Sequence, residues 1–363
     1  LSLRESFISG CISNGVTSEN SNAIFDNIEK AGRYSFNSSH SYGYGKVSYW
    51  TAYAKAHFPL HFFCSSLKHT KDTDELRDLM SEISLFDIQV KNPSISNLSE
   101  KFTIEDGYIR YGYGEIKEVG KDAVSLINKV VEIEKILGKE AKDFSWYEFL
   151  VLVSPFVCKT AINNLIACGM LDNTGVTRNR QIHEYNTLLK LKSQKVKMEW
   201  IAKNYQDYDN LQSLLESLVE NSRQSDRPKI QSLISSLKNP GKSLDDSVTS
   251  YYKIETELMG VAISADPIGK KDRLANIKCF DFQNGKGSSK LNFVVVVKSV
   301  DERVIKSGNN IGKKFANLRL ADKTGEIECT VFSKEWMDLK ASLVEGNVVL
   351  LSSYRQKDGT LKI

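Results

Sequence analysis

The 363-residue sequence lacks any apolar run near the roughly 18 residues that a membrane-spanning helix needs. The longest, Phe293-Val-Val-Val-Val297, is strand length, so a transmembrane helix is excluded. No Cys-x-x-Cys pair occurs among the 6 cysteines, which argues against a zinc module. Cys11, Cys64, Cys158, Cys168, Cys279 and Cys329 read instead as small, buried, reduced side chains. They point to a cytoplasmic protein and away from a disulfide scaffold. Charge of one sign is also missing, since 49 Lys+Arg against 45 Asp+Glu leave only +4. That balance neither requires nor forbids nucleic acid, because a basic face can sit behind an acidic one. There is no starting methionine and no signal peptide, and Leu1-Ser-Leu-Arg-Glu-Ser-Phe7 is already in helical rhythm, as in a chain entered mid-domain. What is present is a globular composition, 41% hydrophobic and 26% charged. At this length it suits roughly two or three domains.

The chain divides by rhythm. Residues 1–85 carry helical periodicity: Ser21-Asn-Ala-Ile-Phe-Asp-Asn-Ile28 sets Ile24, Phe25 and Ile28 on one face, and residues 47–58 form a helix stopped by Pro59. Between them, residues 32–46 are aromatic, polar and turn-rich. Residues 86–185 mix strands and helices. Phe102-Thr-Ile and Tyr108-Ile-Arg-Tyr111 flank the turn Glu105-Asp-Gly107, and helices follow through Ile136 and over 161–166, the latter closed by Cys168-Gly169. Residues 186–285, rich in Lys, Ser, Gln and Asn, read as a mostly helical connector with a helix at 211–219 and a break at Asn239-Pro-Gly241. Gly285-Lys-Gly-Ser-Ser289 reads as a joint. Residues 286–363 change to strand rhythm at 293–297, 316–320, 327–332 and 348–351, with turn signals at 322–325 and 357–359 and a helix at 334–343. A helix before the fourth strand is the order of an OB barrel. The expected fold is multidomain α+β: a helical segment, a helix-hairpin-helix domain, a helical connector and a C-terminal OB-fold β-barrel.

Several constellations bear on chemistry. Ile116-Lys-Glu-Val-Gly-Lys-Asp-Ala123 fits a helix-hairpin-helix turn, in which backbone N–H groups at a helix start face a DNA phosphate. Gly120 takes the second glycine position, Ala123 allows close packing, and Lys117 and Lys121 add positive charge, but Glu118 stands at the first glycine. An ordinary surface helix start is the competing reading. Leu165-Ile-Ala-Cys-Gly-Met-Leu-Asp172, containing Gly169 and followed by Arg178 and Arg180, is a weaker second element. In the barrel, Lys313, Lys314 and Arg319 lie on or beside one strand, with Phe315 and Phe332 as base-stacking candidates, although barrel core is the expected place for both rings. Asp72-Thr-Asp74 and Asp207-Tyr-Asp209 have the spacing of metal-holding carboxylates but no apolar strand beneath them, so they read as solvated helix positions. No metal or catalytic residue is assigned. Glu82-Ile-Ser-Leu-Phe86 has the look of a sliding-clamp peptide, but its place between helix and hairpin favours a structural contact.

The block Phe25-Asp-Asn-Ile-Glu-Lys-Ala-Gly-Arg-Tyr-Ser-Phe-Asn-Ser-Ser-His-Ser41 and the following Val47-Ser-Tyr-Trp-Thr-Ala-Tyr-Ala-Lys-Ala-His-Phe-Pro59 resemble the fingers of bacterial replicative DNA polymerase III alpha subunits, the family C DNA polymerases. Ile109-Arg-Tyr-Gly-Tyr-Gly-Glu-Ile-Lys-Glu-Val-Gly120, Leu165–Asp172 and Glu257-Leu-Met-Gly-Val-Ala-Ile-Ser-Ala-Asp-Pro267 are similar to that family's later motifs, in the same order. The resemblance implies the C-terminal portion of a DNA-directed DNA polymerase, a nucleotidyltransferase of DNA replication. Fingers would occupy 1–85, tandem helix-hairpin-helix elements 86–185, a connector 186–285 and the OB domain 286–363. It implies a palm with catalytic aspartates and Mg2+ outside this chain, so that the chain alone is inactive and binds no cofactor. Arg33, His40, Lys46 and Lys55 would face dNTP or template, the hairpins would hold primer-template duplex, and the barrel would hold single-stranded template. The implied partners are DNA, dNTP, a palm-containing N-terminal portion and a sliding clamp, with no membrane. Ser38 stands where the pattern has lysine and Asp266 where it has histidine, which suggests a divergent member of phage type. A freestanding DNA-binding scaffold built from the same modules is the alternative. A palm encoded upstream, or as a separate polypeptide, would discriminate between them.

Overall fold

The computed structural model describes residues 3–34, 38–239, 245–287, 290–307, 310–356 and 359–362. The chain splits into two compact units, Leu1–Pro59 and Leu60–Ile363. The first holds α1 (Leu3–Ser13), α2 (Ser18–Tyr34) and α3 (Ser38–His57). Phe7 meets Phe25 with centroids 5.4 Å apart, and Arg4 pairs with Asp26 at 2.7 Å. Ile24 and Ile28, on one helix face with Phe25 as the spacing suggests, are exposed. The turn-rich reading of 32–46 is corrected, because α2 continues through Tyr34 and α3 begins at Ser38, with residues 35–37 outside the description. Side chains four residues apart explain the helix despite Gly43 and Gly45. His40 contacts Tyr44 at 4.1 Å, the Lys46 ammonium lies 4.7 Å from the Tyr42 ring, and Tyr53 contacts Tyr49 and His57.

The second unit begins with α4 (Pro59–His69) and α5 (Thr73–Ser84). Asp72 caps α5, accepting from the Asp74 and Glu75 amides at 2.8 and 3.1 Å, so that Asp-x-Asp pair serves a helix start, as its sequence setting suggests. A small sheet follows, with β1 (Val90–Lys91) parallel and β2 (Thr103–Glu105) antiparallel to β3 (Tyr108–Arg110). Asp106 and Gly107, at φ 48° and 86°, form the expected tight turn between β2 and β3. Glu105 and Arg110 pair across this hairpin at 2.9 Å, and Asn97 donates to the same carboxylate.

The Arg110 hydrogen bond holds the Glu105 carboxyl at about 2, against 4.5 ordinarily. Because the folded value is depressed, the pair's stabilisation is present above pH 4.5 and lost as pH falls toward 2. Glu105→Gln is expected to flatten acid denaturation across that window. Superimposable acid profiles of variant and parent would refute this.

Next come α6 (Asp122–Leu137), α7 (Trp146–Glu148), α8 (Lys159–Ala167) and α9 (Arg178–Leu189). They are followed by α10 (Lys195–Asn204), α11 (Leu211–Glu220), α12 (Arg227–Lys238) and α13 (Val248–Met259). Residues 186–239 have the helices expected of the connector, and those helices also pack into the body. Leu211, Leu214, Leu215 and Leu218 recur at helical spacing, α11 packs on α12, and their side chains join one core with Phe63, Phe102, Leu126 and Ile162. α4 and α5, grouped with the first segment by rhythm, share that core as well.

The barrel is built from β4 (Leu291–Val304), β5 (Lys314–Asp322), β6 (Gly325–Val331), β7 (Val348–Arg355) and β8 (Leu361–Lys362), closed in the order β4-β5-β6-β8-β7. α14 (Cys279–Gln283) precedes it, and α15 (Ser333–Leu339) sits before β7, consistent with an OB-like fold. Alternate residues Phe293, Val295 and Val297 fill the interior with Leu318, Leu320 and Trp336, while Val294 and Val296 point outward against Ile268. All six cysteines are free; four are buried, Cys11 is half-buried, and Cys158 is exposed at the start of α8, against expectation. No helix among the described residues is long and apolar enough to cross a membrane.

Candidate nucleic-acid interface

The first hairpin turn runs from Ile116 to α6. Ile116, Val119 and Ala123 are buried, which leaves Lys117, Glu118, Gly120 and Lys121 at an exposed tip. Asn164 of α8 donates to the Lys117 carbonyl at 2.9 Å and fixes the tip against the next helix. Glu118 adopts φ 62° and Gly120 φ 27°. The backbone therefore keeps a left-handed glycine geometry at the position where this sequence carries glutamate, a conformation that costs a side-chain-bearing residue roughly 1–2 kcal/mol. Among the described residues the amides of Glu118, Gly120 and Lys121 donate no hydrogen bond. Three open N–H groups ahead of a 16-residue helix make a ready anion site, with Lys117 and Lys121 beside it.

The second element is a correction. Arg178 is buried, not presented to solvent. It pairs with Asp172 at 2.7 Å and with the fully buried Glu255 at 2.9 Å, and it donates to the Ala167 carbonyl at 2.8 Å. Gly169, at φ 86°, is required by this cluster, because a Cβ there would stand 2.4 Å from the Arg178 guanidinium. Arg180 is half-used in the same way, binding Glu184 and donating to the Leu237 carbonyl at 3.2 Å. These residues hold α8, α9 and α13 together. The sequence carried no mark of this, since the carboxylate partner Glu255 is 77 residues from Arg178.

On the barrel, Lys314 pairs with Glu302 at 2.6 Å, Lys313 donates to Asn310 at 3.0 Å and Arg319 lies 3.8 Å from Glu328. Ala316, Leu318 and Leu320 point inward, so Phe315, Asn317 and Arg319 share the outward row and Lys314 does not belong to it. The two phenylalanines leave the expected core position. Phe332 follows the last residue of β6 and is 47% exposed, and Phe315 alternates outward beside Ala316. Together they line an apolar groove with Val304 and Ile305, rimmed by Arg303 and Lys306, two cations that strand rhythm did not single out.

In the first unit, α3 carries His40, Lys46 and Lys55. Nine residues are about 2.5 helical turns, so Lys46 and Lys55 project to opposite sides of α3 and form no joint patch. Arg33 lies in the last turn of α2, and its side chain, like that of Ser38, falls outside the described residues.

Residues 87–181 match the family model of the helix-hairpin-helix motif. The chain is 28% identical to the DNA polymerase III subunit alpha of Aquifex aeolicus over 98% of its own length. It is 26% identical to that of Pseudomonas fluorescens over 98%, and 27% identical to that of Bacillus subtilis over 94%. This chain is a relative of the DNA polymerase III alpha subunits. It spans 27%, 30% and 28% of those three subunits' lengths.

At Asp266, where the alpha-subunit pattern has histidine, the structure gives a local reason. Asp266 accepts from the Ile268 and Gly269 amides at 2.9 and 3.0 Å and so stabilises the turn after Pro267. Asp207 and Asp209 are exposed in and after a short 3-10 turn. Among the described residues no group of three or more His, Cys, Asp or Glu is placed to hold a metal ion. The clamp-like segment is the end of α5: Ile83 is buried, and Phe86 packs edge-on against Phe63 at 5.1 Å.

Proposed function

We propose that this chain is the DNA-handling portion of a replicative DNA polymerase of the alpha-subunit type. The hairpin tip at Lys117–Lys121 would hold primer-template duplex through its phosphates, without reading sequence. The observation that carries this reading is the set of open amides at Glu118, Gly120 and Lys121, flanked by two lysines, inside the segment matched to the helix-hairpin-helix model. The groove of Phe315 and Phe332 suits stacked bases of a single-stranded template. The helices of Leu1–Pro59, with Arg33, His40, Lys46 and Lys55, would act as fingers toward dNTP. Metal-dependent phosphoryl transfer then belongs to a palm-bearing portion carrying its own aspartates and Mg2+. We place the assembly in the cytoplasm of a bacterial or phage-infected cell, and we assign no clamp contact to residues 82–86.

Binding and extension assays test this together. The chain alone is expected to bind primer-template duplex in a salt-dependent way and to incorporate no nucleotide. In a polymerase reassembled with a palm-bearing portion, Arg33→Glu is expected to raise the nucleotide KM or lower kcat. Robust extension by the chain alone, or parental kinetics for the variant, would count against the assignment.

A further inference from the structure

A cleft of about 1180 Å3 lies within the second unit, between the helical body and the outer face of β4. Its size exceeds the about 300–1,000 Å3 usual for small-molecule sites. Eight lysines and arginines line it against five carboxylates. Lys298 is the most enclosed of these cations. It continues the outward row Val294–Val296, whose valines pack on the body, so its stem is buried where that contact ends. Among the described residues it makes no ion pair, and its only ring contact is with Tyr252, 5.2 Å away. Burial pushes its pKa down while Glu326 opposes the shift, as expected of an ammonium short of counter-charge. Lys253, across the cleft on α13, is likewise without an ion pair, and the hydroxyls of Thr70 and Thr256 in the walls are buried with no hydrogen-bond partner. A half-buried cation that lines one cleft with orphan hydroxyls supplies the donor types a phosphate oxygen takes.

The barrel connects this cleft to the aromatic groove. Phe315 lines the groove and Arg319 lines the cleft, on the same outward row of β5 and about 13 Å apart. We propose that the cleft is a second single-strand site, in which Lys298, Lys253 and the Thr70 and Thr256 hydroxyls hold backbone phosphates of a nucleic acid strand that leaves the Phe315–Phe332 groove. The site reads no sequence, and it rests on the DNA-handling function proposed above.

The test uses the 363-residue chain and an oligothymidylate of about 12 nucleotides, within the range of single-strand site sizes. Lysine acylation followed by mass spectrometry is expected to show Lys298 and Lys253 protected by the oligonucleotide and not by inorganic phosphate. Lys298→Gln and Lys253→Gln are each expected to weaken oligonucleotide binding severalfold and to lower its salt slope by about 0.7, with duplex affinity unchanged. If Lys298→Gln fails to fold, Lys253→Gln and the footprint on the parent chain decide. Parental slopes in variants that bind the oligonucleotide normally would overturn the cleft site and leave the DNA-handling reading intact. Protection by phosphate alone would also overturn it, in favour of a small-anion site. Failure of the parent chain to bind duplex or oligonucleotide would overturn the DNA-handling reading itself.

Discussion

Arg178→Ala is expected to destabilise the helical body by about 3–5 kcal/mol, the range for removing one partner of a buried ion pair. Arg178 spreads its guanidinium over three elements. Nε and Nη2 meet the two oxygens of Asp172 at 3.0 and 2.7 Å, Nη1 meets Glu255 at 2.9 Å, and Nη2 also donates to the Ser264 hydroxyl at 3.0 Å. Glu255 in turn accepts from the Ile263 and Ser264 amides at 2.8 and 2.9 Å and from Asn92 at 2.9 Å. Without the arginine, a fully buried carboxylate keeps its amides but loses its counter-charge. Arg178→Lys is expected to rescue little, since one ammonium cannot reach both carboxylates in a planar fork. Arg178→Met with Glu255→Leu should recover much of the loss, because it leaves no buried carboxylate unpaired and Asp172, half exposed, is open to water. Urea unfolding of the singles and the double gives the coupling directly. A single-variant cost below about 1 kcal/mol would mean that the cluster is solvated and that Arg178 is free to contact a ligand after all.

The second large effect is at the hairpin tip, where two substitutions are expected to move duplex binding in opposite directions. Lys121→Glu replaces a cation beside the open amides with an anion. It should weaken primer-template affinity about tenfold or more at roughly 0.1 M salt and lower the salt slope by about 1. Glu118→Gly removes a carboxylate from the same tip and gives the left-handed φ of 62° to the residue type that tolerates it. It should tighten duplex binding and raise thermal stability by about 1 kcal/mol. Anisotropy titrations over a salt series separate the two effects. An unchanged slope for Lys121→Glu would remove the tip from the DNA contact, whatever the stability of Glu118→Gly.

Local features were legible in the sequence because they depend on neighbours in the chain. Turn chemistry at Asp106-Gly107, apolar periodicity from Asp122 to Leu137 and the glycine after Cys168 each specify a short-range geometry, and the structure has them. The barrel order followed from strand alternation and one helix before β7. The connector helices from 186 to 239 look weakly specified in the sequence because polar composition describes their outer faces, while the leucine rows of α11 and α12 matter only once a partner surface is present. Residues 32–46 were misread because glycine and serine signal turns locally, whereas the aromatic contacts four residues apart exist only in the helix.

The sequence by itself determined the order of modules, the hairpin turn with its missing glycine, and the likeness to replicative polymerases. Each of these is written in residue type and spacing, and no distant contact can change it. Only the tertiary structure decided which charges are available. Arg178, Arg180 and Lys314 look like solvent cations in the sequence and are bound to carboxylates in the fold. Lys298 looks like the polar end of a core strand and is a half-buried cation that makes no ion pair among the described residues. The difference is physical: a charge's role depends on its desolvation and on partners brought from far along the chain, and both arise only when the core closes.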